Sequence, residues 1–362
     1  MKVDISISHP WLGDHAGSER VFLEFLKIFP NADLYCLWAD EKKWRKSLGE
    51  KRVFYSYLNS FPNIKKYYKK IVPILGPGAV GNLPTVRSDV HVSNCHGFIK
   101  GINVSEETYH YCYCYSSIRW ISDQEEVYRN SLGHLGQIFF DFIKPRIRAW
   151  EQKSSNNVDE FLSISQFVSA RIKKTLNRDS KVIYPPVNTD FFTPKKDIKK
   201  INYLLVSRFV PYKRINTAIE AFAKSGKKIT IIGSGTIDYP GLEKYPNINF
   251  LSNLSDKELR DMYRRAKALI FTSVEDFGLV PVEALSCGTP VVALGQGGVV
   301  ETVQDGVNGI FYSEDCPDSL NDAVKKLEDS QISLEACRQR ALQFSTKEFV
   351  KNIKSTIRKK TR

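Results

Sequence analysis

Glu275 and Glu283 stand eight residues apart, about two turns if a helix joins them. A carboxylate accepts hydrogen bonds from hydroxyls, so such a pair offers two hydroxyl-binding points along one element. Between them, Phe277, Gly278 and Leu279 bring backbone N–H groups to a helix N-terminus, where orphan donors and the helix dipole attract phosphate. Arg208 and Lys213 sit in a basic loop upstream, and their charges suit a diphosphate. Fixed cations beside a leaving phosphate lower the barrier to breaking its bond, because negative charge builds there. Sugar hydroxyls, a diphosphate and a ribose diol are what a sugar nucleotide presents, and these residues match that set. Two plainer readings stay open: the glutamates complement the helix dipole, and Arg208 to Arg214 is an ordinary basic loop.

The elements that must position these residues follow from the apolar pattern. Ala268 to Phe271 is a short apolar run that reads as a buried strand. After the loop Thr272–Leu279, Pro281 suits the first turn of a helix and Gly288 its end. Pro290 to Ala293 is the next strand, giving a βαβ unit with Glu275 at the carboxyl end of its first strand, where open α/β sheets bind ligands. Tyr203–Ser207 is a strand feeding the Arg208 loop, and Ile215–Ala223 a helix. Lys228–Ile232 is a strand closed by Gly233-Ser234-Gly235, and Ile248–Leu251 another. Ser255 with Glu258 forms a capping box. Asp318–Leu327 and Glu335–Ile357 read as closing helices.

The first half repeats the theme. Val3–Ser8 alternates as a strand and feeds a small polar loop, Gly13 to Glu19, before the amphipathic positions Val21, Phe22, Phe25, Leu26 and Phe29. The loop lacks G-x-G-x-x-G, which argues against a dinucleotide site. Ala32–Trp38, Ser88–Asn94 and Thr108–Tyr115 are further strands. His96 and Lys100 follow the second of these, and Ser116, Ser117 and Arg119 the third. Tyr67–Asn82 reads as helix giving way to a Gly/Pro loop, Asp123–Ser154 as long helix, and Glu160–Ser165 as a closing strand. Tyr184-Pro185-Pro186-Val187 is stiff and extended, so the chain divides into residues 1–185, 186–342 and a terminal helix 343–362. Both halves are parallel α/β domains by this reading.

At 362 residues the chain exceeds one ordinary core, and 42% hydrophobic content excludes a disordered class. No apolar run reaches transmembrane length, and the N-terminus passes into a strand without a secretory signal. Seven cysteines without a C-x-x-C pair suggest free thiols and a cytoplasmic protein, with Cys112 and Cys114 as core residues. The formal charge of +13 is uneven: between Lys42 and Lys70 ten basic residues meet only Glu50, interleaved with Trp44, Tyr55, Tyr57, Tyr67 and Tyr68. Lys347 to Arg362 is basic as well. Such runs suit an anionic membrane surface, although a solvated helix face explains any single one.

Taken together, Ser207-Arg208 with Lys213-Arg214, Gly233-Ser-Gly235, Glu275 to Glu283, and Gly297-Gly298-x-x-Glu301 resemble the retaining GT-B glycosyltransferases of family 4. The likeness is nearest to the mannosyltransferase-like branch of bacterial surface-polysaccharide synthesis, and is most specific from Ile164 to Gly309. It implies an α/β fold of two Rossmann-like doubly wound domains facing a cleft, with a C-terminal helix crossing back to the first domain. It also implies that Glu275 binds sugar hydroxyls and Glu283 the ribose diol, while Arg208 and Lys213 grip the diphosphate. The Phe277, Gly278 and Leu279 amides, Gly235 and the first-domain loop at Gly17 would complete the donor site. Family members carry Cys-His-Thr-Pro-x-Arg where this chain has Cys114-Tyr115-Ser116-Ser117-Ile118-Arg119. Tyr115 therefore stands at the histidine position, Arg119 is kept, and His96 is a second candidate for sugar or acceptor. The expected activity is hexosyl transfer, best matched by mannose from GDP-mannose or by a UDP-hexose, to a lipid-linked or oligosaccharide acceptor. No Asp-x-Asp occurs, so no metal and no cofactor are expected. A sugar-nucleotide epimerase and a basic nucleotide- or nucleic-acid-binding protein are the alternatives. No nucleic-acid module is recognisable.

Overall fold

A computed structural model describes residues 3–14, 17–235, 239 and 241–357. His15 and Ala16 of the first glycine loop, the side chains of Lys69 and Lys70, and the end of the basic tail at 358–362 lie outside the described residues. The chain forms two compact units, residues 3–184 with 350–357, and residues 185–349. The division falls between Tyr184 and Pro185.

The first unit is built on seven strands: β1 (Ile5–Leu12), β2 (Asp33–Ala39), β3 (Val53–Tyr55), β4 (Val90–Cys95), β5 (Tyr109–Cys114), β6 (Glu160–Ser163) and β7 (Ser180–Val182). They pair in parallel in the order β3-β2-β1-β4-β5-β6-β7. The second unit holds β8 (Asn202–Val206), β9 (Ile229–Ile232), β10 (Ile248–Leu251), β11 (Ala266–Phe271), β12 (Val291–Leu294) and β13 (Gly309–Tyr312). Their order is β10-β9-β8-β11-β12-β13, again parallel. Each sheet reverses direction once, between β1 and β4 and between β8 and β11, and such a switch point opens a crevice at the strands' carboxyl ends. Central strands covered on both faces must be apolar throughout. That is how β12 reads, with all four residues buried.

Several elements differ from the sequence pattern. Glu160–Ser163 is not the closing strand, because the short β7 pairs outside it. The Gly/Pro stretch after Tyr67 stays helical: Ile64–Gly81 runs through Pro73 and Pro77. An interior proline costs about 3 kcal/mol, but this helix buries Val72, Ala79 and Val80 in compensation. The helix of the βαβ unit starts at Leu279, which the sequence pattern assigns to the loop, and keeps Pro281 in its first turn as expected. The long closing helix is two, Leu334–Leu342 and Thr346–Thr356. The end of the latter belongs with the first unit, where the Tyr111 hydroxyl donates to the Thr356 carbonyl at 3.1 Å. The Ser255–Glu258 capping box forms as expected. All seven cysteines are free thiols, and Cys112 and Cys114 are buried.

Candidate active site

The switch point of the second sheet collects the residues singled out by spacing. The loop after β8 presses on the loop after β9, with the Phe209 amide donating to the Ser234 carbonyl at 2.8 Å. Only glycine fits this seam. A Cβ on Gly233 would lie 1.8 Å from the Ser207 carbonyl oxygen, and one on Gly235 (φ +121°) 2.7 Å from that of Phe209. Arg208 is left exposed, its guanidinium bonded to the Tyr212 hydroxyl at 3.3 Å. A short 3-10 turn, Pro211–Lys213, then directs Lys213 inward, where it is 9% exposed. The Thr272 hydroxyl donates to the Lys213 carbonyl at 2.7 Å and so ties the β8 loop to the β11 loop.

Across that tie the Lys213 ammonium meets the Glu275 carboxylate, which also accepts from the Ser273 hydroxyl at 3.2 Å. Glu275 is about a quarter exposed, so the pair forms the lip of the site. The third cation of the loop turns away, because Arg214 pairs with Asp315 at 3.2 Å. Below Glu275 the chain reaches Gly278 at φ +89°, the N-cap of Leu279–Ser286, and among the described residues no side chain caps this helix. Its first N–H groups and dipole favour an anion. Gly298 closes the same loop from a third side, its amide donating to the Glu275 carbonyl at 2.8 Å. A Cβ there would lie 2.4 Å from the Asp276 carbonyl oxygen.

Two residues of the stretch face elsewhere. The Phe277 ring is buried edge-on to Phe344 at 5.5 Å, so only its backbone shares in the loop. Glu283 is buried on the inner side of the helix, where the Tyr263 hydroxyl donates to its carboxylate at 2.9 Å.

In the first unit the switch point is lined differently. Tyr115 is buried and its hydroxyl lies 3.1 Å from the Ser18 carbonyl and 3.0 Å from Asn94 Oδ1. Burial pushes its pKa well up, helped by Tyr113 and Glu19, so the phenol is a neutral donor. His96 is half-buried, edge-on to Trp11 at 4.5 Å and to Tyr115 at 6.0 Å. Burial, then His9, lowers its pKa to about 4 despite the opposing charge of Glu19, and its Nδ1 has no hydrogen-bond partner among the described residues. Gly17 opens the helix Gly17–Ile28, and next to it Glu19 takes a hydrogen bond from the Ser18 hydroxyl at 2.8 Å. Burial alone would raise this carboxyl; His9, His96 and Ser18 outweigh it and hold it at about 2. Fully buried His9 approaches Glu19 to 3.9 Å. Arg119 is bound to Asp123 at 3.0 Å, and Lys100 is locked in a buried pair with Glu151 at 3.0 Å. Sequence reasoning missed His9 and Glu19. The signal available was a histidine within the first strand, and a carboxylate two residues beyond the loop glycine.

Residues 187–344, most of the second unit, match the family model for glycosyl transferases group 1. The O-antigen chain mannosyltransferase RfbU of Salmonella typhimurium is 31% identical over 185 residues, 46% of this chain and 50% of RfbU. The human alpha-1,3/1,6-mannosyltransferase ALG2 is 28% identical over 227 residues, 51% of this chain and 54% of ALG2. The chain thus spans about half the length of the curated relatives it matches. Anabaena HepE, solved in complex with UDP and glucose, aligns with 98% of this chain and 99% of its own at a TM-score of 0.69 and 15% identity. The fold is accordingly GT-B in class, with two parallel-sheet Rossmann-like units.

Proposed function

We propose that this protein is a retaining hexosyltransferase that takes mannose from GDP-mannose and passes it to a lipid-linked or oligosaccharide acceptor in bacterial surface-polysaccharide synthesis, on the cytoplasmic side. One observation carries the reading. The Arg208–Lys213 loop, the Glu275 loop and an uncapped helix N-terminus converge at the switch point of the unit that matches the glycosyl transferases group 1 family. The mannosyltransferase relatives favour mannose over other hexoses.

In this mechanism Arg208 and Lys213 hold the diphosphate and stabilise the charge that collects on it as the glycosidic bond breaks. Glu275 orients sugar hydroxyls and keeps the Lys213 ammonium at the lip. The Gly278 and Leu279 amides take up phosphate or sugar oxygens, while Gly235 lets the Arg208 loop close against the loop after β9 beside the donor. Glu283 either receives the ribose diol or braces the helix through Tyr263. The acceptor hydroxyl enters on the face the diphosphate leaves, and the leaving phosphate takes its proton. Side-chain cations carry the charge without a divalent metal.

The test is incubation of purified protein with GDP-mannose, UDP-glucose and UDP-galactose, each with and without a polyprenyl-linked sugar, with product anomer read by NMR. Acceptor-dependent release of GDP with an α-linked product supports the reading. Release of free epimerised sugar without acceptor would replace it, and inhibition by EDTA reversed by magnesium would remove the metal-free part.

A further inference from the structure

The first unit carries an apolar surface that the donor chemistry does not use. Helix His134–Ser154 has two apolar faces. Phe140, Ile147, Glu151 and Ser154 turn inward and are buried. On the other side Leu135, Ile138, Phe139 and Phe142 are 82%, 56%, 48% and 59% exposed, at the i, i+3, i+4, i+7 spacing of a single stripe. The preceding helix Glu125–Asn130 and its turn add Val127, Tyr128 and Leu132, all exposed. Ion pairs hold the two legs together: Arg129 grips Asp141 at 2.8 Å, and Lys144 and Arg148 both bind Glu125 at 2.5 Å. The structure thus fixes seven large apolar side chains outward on a braced hairpin, whereas the outer face of an ordinary surface helix is polar. A contiguous exposed apolar patch of this kind marks an interaction site.

Its surroundings identify the occupant. The helix Ile64–Gly81 packs on the same floor, since Gly76 lies under the Phe98 ring and Trp150 meets that ring at 5.3 Å. Both helices connect strands that step the same way across the sheet, and right-handed crossovers then place them on one face. Around Ile64–Gly81, Tyr57, Phe61, Tyr67 and Ile74 are also exposed, with Lys65 and Lys66 beside them. All of these except Ile74 belong to the 42–70 stretch with ten basic residues and one acidic. Arg146 stacks over Phe142 at 3.8 Å, an apolar ring under a charged head. Apolar stripes rimmed by cations fit an interface with acyl chains below and anionic headgroups beside them. No helix among the described residues is long and apolar enough to cross a membrane.

We propose that the 127–142 hairpin and the flanking Tyr57–Ile74 surface dock this protein onto an anionic phospholipid bilayer, the hairpin inserting its apolar stripe and Lys65 and Lys66 contacting headgroups. The docking needs no nucleotide sugar, so its failure is separable from that of the proposed activity.

Flotation of the full chain with vesicles of equal parts phosphatidylglycerol and phosphatidylcholine tests it. Wild type should float, and less so as salt rises. Leu135→Ser, Ile138→Ser, Phe139→Ser and Phe142→Ser combined should lower the bound fraction about tenfold or more, with the thermal midpoint unchanged because these side chains are exposed. Leu135→Ser alone should give a smaller loss in the same direction. Lys65→Glu with Lys66→Glu should remove most of the salt dependence. The proposal is overturned if the serine variants float like wild type. It is equally overturned if wild type does not float and instead forms a dimer that those variants dissociate, which would make the stripe a contact between copies.

Discussion

The two sheets share one topology, and each reverses at a switch point, yet the residues gathered there are opposites. In the second unit the crevice is edged by charge at the surface: an exposed Arg208, the Lys213–Glu275 pair at the lip, and loops thinned by Gly233, Gly235 and Gly298. In the first unit it is lined by buried or half-buried aromatic and imidazole groups, with His96 neutral and Tyr115 hydrogen-bonded. Topology therefore supplies a crevice twice, and side-chain chemistry decides what each can hold. An exposed Arg208 and an inward Lys213 beside a helix N-terminus suit a polyanion. Aromatic rings and a neutral His96 around a buried carboxylate suit uncharged hydroxyls or simply a rigid scaffold.

The comparison breaks most sharply at Arg208. If the second crevice stabilises charge on a departing diphosphate, Arg208→Ala should lower kcat about 10²-fold or more, roughly 2.7 kcal/mol of barrier, with a smaller change in KM. Steady-state kinetics with GDP-mannose check this, and a change confined to KM would mean that Arg208 only binds donor. No substitution in the first crevice that leaves the fold intact should match it.

Next in size is the effect of pH on the first unit. His96 has a folded pKa of about 4 against 6.5 when free. The unfolded chain thus takes up the proton first, and this contribution is complete above pH 6.5 and lost as pH falls towards 4. At about 1.4 kcal/mol per unit the loss is at most about 3 kcal/mol. Urea denaturation between pH 7 and 4 should show it together with a loss of the same sign from fully buried His91, whose pKa burial also lowers, and His96→Gln should remove only the His96 share.

Gly298→Ala probes the seam of the second crevice. The added methyl would sit 2.4 Å from the Asp276 carbonyl oxygen and 2.5 Å from Phe277 Cα, so backbone must move. The expected cost is about 1–3 kcal/mol, with donor affinity, measured by calorimetry with GDP, falling more than stability.

The smallest effect is expected at Tyr115. Its hydroxyl is engaged with Ser18 and Asn94, so Tyr115→Phe should cost about 1 kcal/mol of stability. Turnover should stay near wild type. A large loss of kcat without loss of stability would make the phenol a participant and blur the contrast between the crevices.

What the sequence determined by itself is local. Apolar runs of strand length, glycines where loops must touch and polar residues just beyond strand ends placed Arg208, Lys213 and Glu275 on the same sheet edge. They did so because strand period and strand polarity are properties of neighbouring residues. The same logic indicated two parallel α/β halves and a break near Pro185. Only the tertiary structure decided partners. Lys213 meets Glu275 across a sequence separation of 62, and nothing local to either residue indicates it. Glu283 turns to Tyr263 because the helix packs that side inward, and Tyr115 spends its hydroxyl on the first turn of a helix 97 residues away. The helix across Pro73 and Pro77 survives on buried contacts that outweigh a local penalty. The outward stripe from Leu135 to Phe142 was invisible for the same reason: in a helix with two apolar faces, periodicity shows that both exist, and only packing decides which one is left exposed.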